Sequence, residues 1–340
     1  MKQVKTLPLT DECHHWTHLG EVPWDLQKYW QQRYTIFPYY DDGIYMTQDA
    51  WFGVTPEPVA ICIAEELSTI VSSNKRTVID AFAGVGANSI SLALATEGES
   101  GKQRWDKVIA IELDAATLAC AQHNASLYGV ADDITWVLGD SFKFMELLTN
   151  TPGKLESDLR VDIATTAVFA SPPWGGPGYR TDEIFNLNFM EPYNLEKLRV
   201  AYRLMDHALY LPRTSDLRQI AKLAPDGTKI EVVQYCVEGA SKAMVTYIPA
   251  ATNEQNNEPM DESIDDSTND LTNDLTNDLT TDLTTNITTD LTKDHTNDLT
   301  NDLTNDLTND LTNDLTKGLM SNLTNKHAND QAMDQMNGYA

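Results

Sequence analysis

The sequence predicts an α/β fold, a doubly wound parallel sheet, followed by a long segment outside the fold. Three observations carry this. Apolar runs of strand length alternate with helical patterns between residues 77 and 170, the first strand opens into a glycine turn, and bulky side chains end near residue 250. Of the 28 Trp, Tyr and Phe residues, 27 lie in the first 250. That length suits one domain of about 200 to 250 residues.

The elements follow in order. Residues 77–82 (TVIDAF) read as a strand leading into Gly84-Val85-Gly86, and residues 88–96 as the helix after it. Residues 108–113 form a second apolar run that carries Glu112 and is followed by Asp114, with a helix expected over 115–128. A third strand, 134–138, ends at Gly139-Asp140, and a fourth, 167–170, runs into SPPWGGPGY at 171–179. In such a sheet, ligands bind beyond the carboxyl ends of the strands.

Upstream, residues 1–50 hold nine aromatics and read as a helical extension or lid. The sheet domain is expected over 51–250, and an acidic low-complexity tail over 251–340. The chain carries a net charge of −27, and the tail contains 19 acidic and 3 basic residues, leaving 32 acidic and 21 basic in the first 250. From Thr268 the tail repeats TNDL, poor in helix formers and in core-forming side chains, so disorder is expected. Solvated repeat and acidic docking segment for a basic protein partner both remain open for it.

Composition excludes several functions. No stretch approaches the roughly 18 to 20 apolar residues of a membrane span, and the first residues lack the apolar run of a secretion signal, so a soluble, non-secreted chain is expected. The four cysteines are scattered, as free thiols would be. Cys13, His14, His15 and His18 lack the second separated ligand pair of a structural metal site, and no metal is expected. An acidic front part argues against broad electrostatic grip on long nucleic acid.

The chemistry concentrates at the strand ends. Gly84 and Gly86 let backbone lie against a ligand, and an acid at the end of the second strand can accept both ribose hydroxyls. Asp80 is placed to meet an ammonium group. Asp80, the glycine pair, Glu112 and Asp140 together resemble the S-adenosylmethionine site of class I methyltransferases. Pro172 and Pro173 remove two amide donors, so the Ser171 hydroxyl and the Pro172 carbonyl can accept hydrogens from an exocyclic amine while Trp174 stacks on its base.

The string SPPWGGP followed by Tyr179 resembles the trimethylguanosine synthase family, the RNA cap guanine-N2 methyltransferases. KYW at 28–30, QRY at 32–34, DDG at 41–43, WF at 51–52, VTPE at 54–57 and LPR at 211–213 agree with it, over a span from about 28 to 248. The resemblance implies methyl transfer from S-adenosylmethionine to N2 of the 7-methylguanosine cap of small nuclear and nucleolar RNAs, and it implies the nucleus, with the cytoplasm as a further location. It assigns Phe37, Thr55, Asp80, Gly84, Gly86, Asn88, Glu112, Asp140 and Ser171 to the cofactor. Lys28, Asn124, Trp174 and Arg213 fall to the capped substrate, and Ser171, Pro172 and Trp174 to catalysis. Gly53, where the family has a pocket Ser, and Gly178, where it has an Asp, depart from the pattern. An internal-base methyltransferase of ribosomal RNA or DNA shares the proline turn, and an inactive cap-binding scaffold would share the pocket.

Overall fold

The computed structural model describes residues 1–175, 183–237 and 240–251. The expected tail and the part of the turn that holds Gly176, Pro177, Gly178 and Tyr179 lie outside the described residues.

Seven strands form one sheet in the order β3-β2-β1-β4-β5-β7-β6. β1 (Thr77–Asp80), β2 (Lys107–Glu112), β3 (Ile134–Leu138), β4 (Thr166–Ala170) and β5 (Asp206–Leu211) are parallel. β6 (Glu231–Val237) and β7 (Ala240–Ile248) form an antiparallel hairpin paired to β5. These three last strands complete the sheet beyond the four expected. β4 is buried at all five positions, which is why it reads as an unbroken apolar run.

Val78 and Ile79 show how the sheet is sandwiched. Successive side chains point to opposite faces, and Val78 enters a core with Ile63, Leu67, Ile90 and Leu118 while Ile79 enters one with Ile111, Phe144, Leu148 and Leu198. Among the described residues the helices are α1 (Gln27–Trp30), α2 (Arg33–Ile36), α3 (Ala50–Gly53), α4 (Glu57–Ile70), α5 (Ala87–Leu94), α6 (Ala115–Leu127), α7 (Ser141–Asn150), α8 (Leu195–Tyr202) and α9 (Leu217–Ala221). α4 buries Val59, Ala60, Ile63, Ala64 and Leu67, one helical stripe, against the sheet.

The extension is less helical than expected: α1, α2 and α3 are single turns joined by irregular chain. Its aromatics nevertheless form a third core, in which Trp16, Trp30, Phe37 and Tyr40 pack with Trp51, Val85, Ala87, Ala116 and Cys120 of the sheet domain. It therefore belongs to the same compact unit as the sheet. Leu7 N–H donates to Gln122 Oε1 at 2.7 Å and Val4 N–H to the Trp136 carbonyl at 3.0 Å, tying the first residues to α6 and β3.

Candidate functional site

The chain leaves β1 for β2 and β3 on one side and returns through β4 on the other, so the strand order reverses between β1 and β4. A cleft of about 950 Å³ opens at the strand ends there, the place such sheets bind ligands.

Its floor is the glycine turn. Gly84 (φ +54°) and Gly86 (φ +94°) lie in the left-handed region, and a Cβ on Gly86 would come within 3.2 Å of the Ala121 backbone. Gly86 itself does not line the cleft; it starts α5 and lets that helix approach α6. Gly84 N–H donates to Glu112 Oε2 at 2.9 Å, and the N–H groups of Leu113 and Asp114 donate to Oε1 at 2.8 and 2.9 Å. Three backbone donors thus fix this carboxylate on the cleft wall. Burial still raises its pKa, outweighing those hydrogen bonds.

Asp80 lies beneath the floor, fully buried and off the cleft surface. Its carboxylate accepts from Ser89 Oγ at 2.6 Å and from Phe82 N–H at 3.3 Å, so it braces the turn against α5 where the sequence placed it against an ammonium group. Burial pushes its pKa up to about 7, opposed by those two donors and reinforced by the Glu112 charge. Asn88 lines the cleft and is 7% exposed. Its Nδ2 donates to Thr55 Oγ1 at 2.9 Å, while its Oδ1 is buried with no partner. Asp140 caps α7 by accepting from Lys143 N–H at 2.9 Å and lines the far wall beside Phe82 and Tyr193. Phe142 meets Tyr193 at a tilt of 34°, ring centres 4.3 Å apart.

These residues fit S-adenosylmethionine. Glu112 offers acceptors for ribose hydroxyls, the orphaned Asn88 Oδ1 an acceptor for the ammonium of the amino-acid portion, and the aromatic wall at Asp140 an apolar face for a purine. Sequence reasoning missed Phe82, Tyr193 and the Asp11, Glu12 and His14 wall contributed by the extension. Phe82 was legible as the aromatic after the first strand; Tyr193 follows a long connection and carries no local signal.

Ser171 and Pro173 line the same cleft, but Pro172 is buried and off it. Trp174 is not on the cleft wall either. Its ring stacks on Tyr210 (5.7 Å, 12° between planes), and its indole N–H donates to the Tyr210 carbonyl at 3.2 Å. Phe37, expected at the cofactor, is buried in the third core 6.4 Å from the Tyr128 ring. Asn124, expected at the substrate base, is a clamp. Its Oδ1 accepts from Tyr45 N–H, and its Nδ2 donates to the Tyr45 and Val85 carbonyls, all at 2.9 to 3.0 Å. With both ends of the amide spent on backbone, it pins the extension to α6 beneath the glycine turn. Lys28 and Arg213 are exposed and do not line the cleft. Gly53 does line it, and a Cβ there would meet nothing within 4 Å. Of the extension's Cys and His cluster, Cys13 Sγ donates to the Ala116 carbonyl, and His14 stacks on Trp16 where it lines the cleft.

Residues 75–251 match the family described as RNA cap guanine-N2 methyltransferase. The chain is 33% identical over 229 residues to the trimethylguanosine synthase of Schizosaccharomyces pombe, covering 66% of this chain and 87% of the relative. It is 31% identical over 202 residues to that of Saccharomyces cerevisiae, covering 58% of each. A sheet of this order, a cleft at its switch point and a match over more than half the chain place the protein in the RNA cap guanine-N2 methyltransferase family.

Proposed function

We propose that the chain methylates the exocyclic N2 amine of a 7-methylguanosine cap on small RNAs. One observation carries the reading: Ser171 and Pro173, on the turn after β4, share a single cleft with Asn88 and Glu112, so a donor site and an acceptor turn face each other. S-adenosylmethionine supplies an electrophilic methyl group on a sulfonium. Glu112, held by three N–H groups, positions the ribose, and Asn88 orients the amino-acid portion.

On the acceptor side, the Ser171 hydroxyl on the cleft wall accepts a hydrogen of the amine, directing its lone pair at the methyl carbon. Holding the reacting atoms in line is worth about 7 to 11 kcal/mol. The family resemblance assigns the flat base to Trp174, whose ring plane is set by Tyr210 and lies off the cleft wall, so a base stacked there extends beyond the cleft. A 7-methylguanine ring carries positive charge, and an indole face prefers it over guanine by about 0.5 to 2 kcal/mol. Lys28 and Arg213 meet the cap phosphates. Nuclear small RNAs are the substrates this reading favours.

Labelled methyl transfer to 7-methyl-GTP, GTP and uncapped RNA tests the reading. Transfer to 7-methyl-GTP with little to GTP supports it; equal transfer to uncapped RNA would move the chain to the internal-base methyltransferases.

A further inference from the structure

Trp24 is 86% exposed, an uncommon position for the largest apolar side chain. It sits one turn ahead of Lys28, in the turn that runs into α1 through the Leu26 N–H to Pro23 carbonyl bond. Lys28 Nζ lies 4.9 Å from the Tyr29 ring centre, and Tyr29 meets Phe52 edge to face at 5.3 Å. Phe52 is 41% exposed and belongs to α3, whose Ala50 and Gly53 line the cleft. Phe52 and Tyr29 therefore lead from the cleft rim onto the extension, and the exposed Trp24 stands five residues before Tyr29 in the chain.

We infer that this surface is a stacking platform for the first single-stranded nucleotides that follow the cap. The inference rests on the cap reading above, because a polymer joined to a base in the cleft must leave over the rim. Chemistry selects bases as the contact. The first 250 residues are net acidic, and Asp25 beside Trp24 and Asp49 on the cleft wall repel phosphates, so beyond the cap phosphates assigned to Lys28 a phosphate-tracking groove does not fit. Aromatic faces stack on any base with little demand for cationic charge or for sequence.

The test compares a capped dinucleotide with a capped oligonucleotide of about eight unpaired nucleotides, using the full chain. Two readouts are taken: methyl transfer, and equilibrium binding followed by fluorescence anisotropy. The oligonucleotide is expected to bind roughly tenfold tighter than the dinucleotide. That ratio should change less than about threefold between roughly 50 and 200 mM salt, where a phosphate-driven interface would lose far more. Trp24→Ala should bring the ratio close to one through KM, leaving kcat and transfer to the dinucleotide unchanged, and Trp24→Phe should restore part of it. Phe52→Ala should lower the ratio in the same way. Equal binding of both ligands, or a ratio untouched by Trp24→Ala, overturns the platform and leaves the surface to a protein partner. If the dinucleotide is bound but never methylated, the cap reading fails, and the binding ratio still decides the platform.

Discussion

On the donor side of the cleft, the predicted residues hang from the ends of adjacent parallel strands: Asp80 and Gly84 from β1, Glu112 on β2, Asp140 after β3. On the acceptor side, Lys28, Asn124, Trp174 and Arg213 come from four separate segments, and of the acceptor residues expected from sequence only Ser171 lines the cleft, joined there by Pro173. The difference is one of construction. Strand ends are positioned by the ladder itself, and their carboxylates are then locked by neighbouring backbone N–H groups. An acceptor pocket assembled from loops depends on packing between distant parts of the chain.

Four substitutions probe this contrast. Glu112→Gln sets an amide NH₂ against backbone donors and is expected to weaken S-adenosylmethionine binding by roughly 10- to 100-fold, read by calorimetry. Loss of less than about threefold would show that the donor side does not depend on this carboxylate. Next in size, Asn124→Ala strands the Tyr45 N–H and two carbonyls in the interior. It should cost about 2 to 4 kcal/mol in denaturant unfolding, with KM for the capped substrate little changed in the protein that remains folded. A KM effect with intact stability would return Asn124 to the substrate base.

Asp80→Asn gives the smallest effect, and its sign follows from linkage. With a folded-state pKa near 7 against about 4 unfolded, the folded protein binds the extra proton between those values. Its stability contribution is therefore full at low pH and is lost as pH rises toward 7. Removing the titration should raise the stability of the variant relative to the parent by roughly 1 to 3 kcal/mol from about pH 5 to 8. A constant difference across that range would mean that Asp80 is ionised throughout.

The donor half was legible because its signals are local. A strand, a glycine turn and an acid at the next strand end lie within one stretch of chain, and burial on both faces writes β4 as a plain apolar run. β5 and the β6–β7 hairpin carry no comparable punctuation, since Asp206 and His207 open β5 and Glu231 and Gln234, three positions apart, break the alternation along β6. Asn124 and Phe37 were misplaced for a different reason. Resemblance transfers a residue type, and a buried amide looks the same whether it reads a base or two carbonyls; the pairing with Tyr45, 79 residues away, is visible only in the fold.

Trp174→Ala, with turnover on 7-methyl-GTP and S-adenosylmethionine affinity measured on one preparation, tests the joined site most directly. The expected result is a fall in kcat/KM of roughly 100-fold or more with cofactor affinity within about twofold of the parent. Near-normal turnover, or a parallel loss of cofactor binding, would contradict the placement of the capped base on this indole.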